Sequence, residues 1–100
     1  MFLEKYVNKF YLDLIYDNYN EGYLNSLDES NFLSIYKLLK ENKFYFIDDI
    51  ILKYLEIFQM EYEEVYNGLI NLKNKLGENF VYIIGNDMSY LEEILNYELA

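Results

Sequence analysis

A chain of 100 residues carries 18 acidic side chains against 8 lysines, a formal charge of −10, and has no arginine, histidine or cysteine. The absence of histidine and cysteine removes the usual general base near neutral pH, the thiol nucleophile, the soft metal ligands and any disulfide. The charge repels nucleic acid and anionic membranes and favours basic partners, while a composition 53% hydrophobic and 20% aromatic is too apolar for a disordered acidic tail.

Residues 2–18 are predicted as an amphipathic helix, with Leu3, Val7, Phe10 and Leu14 as the buried stripe, widened by Phe2, Tyr6, Tyr11 and Ile15. The stretch 18–22 then breaks the pattern as a loop, which leaves Tyr19 and Tyr23 as exposed loop tyrosines. Ser26 and Glu29 form a capping box that opens a second helix, carried by Phe32, Ile35, Tyr36 and Leu39 as far as Asn42. The third element, from Phe46 to Phe58, is apolar around much of its circumference and is expected to be central. The fourth runs from Glu61 to Leu76, turns Tyr62, Val65, Leu69, Leu72 and Leu76 inward, and stops at Gly77. Its glutamates near the start and lysines near the end suit the helix dipole.

The last quarter reads two ways. Phe80 to Ile84, bounded by Gly85, Asn86 and Asp87, fits a short buried strand or a helical turn covered on every side. A strand needs a partner, and only 43–47 qualifies. The expected fold class is therefore all-α, a compact bundle of about five short helices, with α+β and a two-stranded sheet from 43–47 and 79–84 as the alternative. A second capping box, Ser89 with Glu92, opens a last helix from about Met88 to Tyr97. Ile47, Ile51, Leu55, Leu69 and Leu72 are the predicted core. The whole chain, 1–100, is expected to be a single helical domain.

No apolar run approaches the roughly 18–20 residues that cross a bilayer. Glu4, Lys5 and Lys9 interrupt the apolar start, so no signal peptide is expected and the chain is assigned to the cytoplasm of a bacterial host. Tyr, Asn, Lys, Ile and Phe have AT-rich codons, whereas the absent Pro and Arg mostly need GC-rich ones. Part of the aromatic excess thus reflects an AT-rich genome, but the acidic excess does not, because such coding favours Lys equally.

Adjacent carboxylates occur at Asp48–Asp49, Glu63–Glu64 and Glu92–Glu93. Helical neighbours point about 100° apart and do not converge on one substrate atom, so these read as solvated helix face. Gly85-Asn86-Asp87 lacks the alternating ligands and closing glutamate of a calcium loop and reads as a capping turn. No catalytic residue, cofactor or metal site is expected. The remaining constellation interleaves tyrosines with carboxylates, from Asp13 to Tyr23 and again from Glu61 to Tyr66. Spaced carboxylates can imitate phosphates, and rings can imitate stacked bases. The expected partner-binding residues are Glu61, Glu63, Glu64, Asp13, Asp17, Tyr19, Glu21 and Tyr23. The simpler alternative is that the charge only keeps an aromatic-rich protein in solution, for which half of it would serve.

Phe46 to Leu95 loosely resembles the two-helix repeats of mitochondrial transcription terminator-like proteins, with Leu72, Leu76 and Gly77 on the repeat's leucine and glycine positions. Those repeats carry basic surfaces, so the resemblance implies helical hairpins only. The segment from Asp28 to Leu33 is similar to the start of a helix in nuclease-colicin immunity proteins, which the rest of the chain does not follow. As a whole, the composition resembles small phage-encoded inhibitors of the anti-CRISPR and DNA-mimicking anti-restriction types. That resemblance implies a non-enzymatic inhibitor, bound to the basic nucleic-acid-binding surface of a CRISPR effector or other nuclease, with no direct nucleic-acid or membrane contact. The alternatives are an immunity protein or antitoxin that neutralises a basic toxin, and a helical subunit of a larger assembly.

Overall fold

The computed structural model describes residues 1–95. Among them are seven α-helices: α1 Lys9–Asn18, α2 Glu21–Asn25, α3 Glu29–Glu41, α4 Ile47–Lys53, α5 Tyr62–Leu76, α6 Phe80–Asn86 and α7 Glu92–Leu95. Short 3-10 helices cover Phe2–Lys5, Leu55–Gln59 and Met88–Leu91, and no strand is present among the described residues. The all-α expectation holds. The sheet alternative does not: 80–86 is helical, and 43–46 is the connection into α4.

The expected five helices are more numerous and shorter because Asn and Asp side chains capture backbone N–H groups that a continuous helix would use otherwise. Asn8 accepts from the Phe10 amide at 2.8 Å with ψ near 143°, which splits the predicted 2–18 helix and opens α1. The restart rotates the buried face onto Leu12 and Ile15, and leaves Phe10, predicted to be buried, 60% exposed. Asn20 accepts from the Tyr23 amide at 2.7 Å, so the predicted loop is the helix α2. Asp28, not Ser26, caps α3 by accepting from the Asn31 amide, while the Ser26 hydroxyl donates to the Tyr23 carbonyl. Asp87 likewise takes the place of the Ser89–Glu92 box, accepting from both the amide and the hydroxyl of Ser89. The predicted third helix breaks at Tyr54, where φ is −133° and ψ 48°. The predicted end of the last helix, at Tyr97, lies outside the described residues.

The core forms around α3, α5 and the 55–59 turn. Phe32 and Phe58 are fully buried and stack with centroids 4.8 Å apart, and Phe2 closes edge-on to Phe32 at 5.3 Å. The five predicted core residues Ile47, Ile51, Leu55, Leu69 and Leu72 are all buried. Tyr62, predicted inward, is instead 39% exposed and stacks on Tyr66. Asn31 ties α3 to the following layer by donating its amide N–H groups to the carbonyls of Phe58 and Met60, at 2.7 and 2.9 Å. The Phe58 carbonyl also accepts from the Gln59 side chain at 3.2 Å. Gly77 ends α5 at φ 88°, a conformation that penalises any other residue.

Gly68 is required by packing. A Cβ there would lie 2.8 Å from Cγ1 of Ile94, which is 1% exposed, so α5 and α7 pass too closely for a side chain. Helix propensity alone favours Gly68→Ala by about 1 kcal/mol. Overpacking a filled core costs about 1–3 kcal/mol and outweighs that gain. Gly68→Ala is therefore expected to lower the midpoint of chemical denaturation, and a raised midpoint would show that α7 yields freely.

Candidate functional site

Local folding separates the eight expected partner-binding residues into two environments. Asp13 and Asp17 are exposed on α1, Glu21 on α2, and Glu61 and Glu63 at the start of α5, where Glu64 is half-buried. Tyr19 and Tyr23 are not exposed loop rings. Tyr19 caps the end of α1 and Tyr23 lies in α2; the two rings stack at 5.6 Å against the core, and the Tyr19 hydroxyl donates to the Leu52 carbonyl at 3.1 Å. Burial raises the pKa of both hydroxyls, and the nearby Glu56 carboxylate raises them further.

Tyr19 lines one of two depressions that carry these acidic residues. One, of about 430 Å³, is lined by Met1, Tyr16, Tyr19, Glu21, Leu24 and Asn25. The other, of about 610 Å³, is lined by Glu56, Gln59, Met60, Glu61, Glu64 and Leu95. Glu56 links them, since it lines the second and acts electrostatically on both tyrosines beside the first. At the far end, Glu4 and Asp13 act on the Tyr16 hydroxyl, whose pKa is raised first by burial and then by these two charges. The result is one acidic, tyrosine-bearing band from Asp13 through Glu21 and Glu56 to Glu61 and Glu64. Asp17 and Glu63 are exposed on the same two helices but line neither depression.

Sequence reasoning missed Glu56 because it fell inside the helix expected to be most buried. A usable signal was the distribution of lysine: the stretches 10–36 and 54–72 contain none, and Glu56 lies in the second. Those stretches supply most of the band. The lysines lie elsewhere. Lys5 pairs with Glu29 at 3.2 Å, Lys75 with Glu93 at 3.0 Å, Lys40 sits over the Tyr36 ring, and Lys43 and Lys73 line a separate depression with Glu41 and Glu78. Both ion pairs are exposed and contribute about 0–1 kcal/mol each, so they partition charge more than they stabilise the fold.

Glu92, Glu93 and Glu63 are exposed, as the solvated-face reading expects, but Asp48–Asp49 departs from it. Asp48 and Asp49 are half-buried, and Asp49 accepts the Tyr11 hydroxyl at 2.9 Å. That bond, followed by the charge of Asp49, raises the Tyr11 pKa. Glu92 accepts the Tyr54 hydroxyl at 3.1 Å, a second and smaller cause, after burial, of that tyrosine's raised pKa.

Tyr11, Tyr16, Tyr19, Tyr23 and Tyr54 thus all ionise above the ordinary value of 10.0. A pKa raised in the folded state means that the folded chain holds protons the unfolded chain releases. The associated stability is whole below pH 10 and is lost as pH rises through the folded values. Denaturation midpoints are expected to hold steady from neutral pH to about 9 and to fall above about 10, in step with tyrosinate absorbance. A midpoint that rises above pH 10 would contradict the assignment.

Among the described residues, no group of three or more acidic side chains is placed to hold a metal ion, and no helix is long and apolar enough to cross a membrane. The band can offer spaced negative charge beside protonated phenols, which donate hydrogen bonds as well as stack. No protein family, curated protein sequence or solved structure matches the chain.

Proposed function

We propose that the protein is a non-enzymatic inhibitor whose acidic band occupies the basic nucleic-acid-binding surface of a nuclease or CRISPR effector. The observation that carries this reading is that Glu21 lines one depression and Glu56, Glu61 and Glu64 another, neither lined by a lysine, while Glu56 also acts electrostatically on Tyr19 and Tyr23. Carboxylates in such a row present a basic groove with the charge it is shaped to hold, and complementary potentials raise the encounter rate and exclude acidic competitors. The tyrosines supply contact area at little entropic cost. A side chain fixed against the core, as Tyr19 is by Leu52, loses less freedom on binding than a mobile loop ring.

The test is competition. Added to a basic nuclease or effector complex bound to a labelled oligonucleotide, the protein is expected to displace the oligonucleotide with one-to-one stoichiometry and to leave the target's mass unchanged. Inactivation of many target molecules by one, or a mass change on the target, would replace inhibition by occupancy with an enzymatic activity.

A further inference from the structure

Outside the acidic band lies a concavity of about 390 Å³ with aromatic walls. Tyr11 of α1, Tyr36 of α3, and Phe44 and Tyr45 of the connection into α4 line it, together with Asp48 and Asp49 from the first turn of α4. Tyr11 engages Oδ1 of Asp49, and among the described residues Asp48 takes no hydrogen bond or ion pair. Asp48 is thus a half-buried carboxylate at a cavity walled by rings, with its hydrogen-bonding capacity unused by the described side chains.

Tyr45 is 70% exposed and packs one ring edge on the fold. Its ring meets Phe46 edge-on at 4.9 Å, and a Cβ on residue 85 would fall 2.5 Å from its hydroxyl oxygen. Gly85 in α6 thus lies directly beneath the Tyr45 hydroxyl and close to the Phe46 ring, 3.1 Å from where its Cβ would be. The aromatic wall already holds a cation, because the Lys40 ammonium lies 5.4 Å from the Tyr36 centroid. Two carboxylates against that one ammonium leave a single uncompensated negative charge.

We propose that this concavity receives one arginine side chain of the basic partner, with its guanidinium against the tyrosine rings and paired with Asp48. Arginine fits better than lysine because its planar fork matches a carboxylate and its flat face stacks on aromatics, whereas an ammonium is a compact and strongly hydrated charge. The proposal rests on the reading of a basic partner and adds an anchor outside the band. Steering by the band sets how fast the partner arrives, and a filled pocket fixes the register in which it stays.

The experiment needs no partner protein. The full chain is titrated with N-acetyl-arginine amide and, separately, with N-acetyl-lysine amide, while backbone amide resonances are followed by heteronuclear NMR. The arginine probe is expected to give saturable shifts centred on residues 44–49 and to bind at least about threefold more tightly than the lysine probe. Asp48→Asn and Tyr45→Ala are each expected to weaken arginine binding about tenfold. Asp48→Asn preserves side-chain volume and decides the matter if Tyr45→Ala loses its fold in a thermal melt. Equal binding of the two probes, shifts spread along the acidic band, no saturable shift at 44–49, or an unchanged response in Asp48→Asn would overturn the proposal. The probe reports on the pocket alone, so its failure is distinguishable from failure of the competition experiment.

Discussion

Truncating Phe32 to alanine is expected to remove about 3–5 kcal/mol of folding stability, the cost of deleting a fully buried ring that its surroundings cannot refill. The ring is wholly inaccessible and touches Phe2, Tyr6, Tyr36 and Phe58 at centroid distances of 5.3, 5.5, 6.0 and 4.8 Å. A domain of this size has about 5–15 kcal/mol to lose, so the variant is expected to be marginally folded at best. Phe10→Ala is the informative control. With that ring 60% exposed beyond the Asn8 break, its loss is expected to change stability by no more than about 0.5 kcal/mol. Urea titration of both variants gives the comparison. Equal costs would mean that 2–18 forms one continuous helix with Phe10 in its buried stripe.

Neutralising the band is expected to have the largest effect on function. Glu56→Gln with Glu61→Gln should lower the association rate for the proposed nuclease or effector target about three- to tenfold at low salt, with a smaller change in dissociation rate. Glu41→Gln with Glu78→Gln removes the same two charges from the depression that holds Lys43 and Lys73. That pair is expected to change the rate by less than about twofold. Stopped-flow association of the two double variants separates a local surface from net charge. Equal slowing would mean that net charge alone governs the encounter.

What the residues revealed in advance follows from which forces set each feature. The burial of Ile47, Ile51, Leu55, Leu69 and Leu72 was legible because hydrophobic spacing reports directly on which face turns inward. The boundaries of α5 were legible too, since Gly77 is a stop that few alternatives can imitate. The breaks at Asn8 and Asn20 were hidden because one side-chain hydrogen bond to a nearby amide competes with a helical turn on nearly equal terms, and apolar spacing carries no record of it. The run from Phe80 to Ile84 looked strand-like from its β-branched and aromatic residues, but packing of α6 against α5 overrides that preference. For the candidate site, charge pattern pointed to Asp13, Glu21, Glu61 and Glu64 as surface carboxylates, of which Glu64 is half-buried, but could not place Tyr19 and Tyr23 against the core. Their burial arises from tertiary packing, as in the Tyr19 bond to Leu52 of α4, which no local pattern encodes.

The central claim is that a continuous acidic surface recognises a basic one, and the salt dependence of affinity tests it most directly. Between about 50 and 500 mM salt the Debye length shortens roughly threefold, which screens exposed charges across the band. The affinity of the wild-type protein for the proposed nuclease or effector target is expected to fall by about tenfold or more over that range, with a shallower slope for the Glu56→Gln, Glu61→Gln variant. An affinity unchanged from about 50 to 500 mM, or the same slope in wild type and variant, would contradict the account.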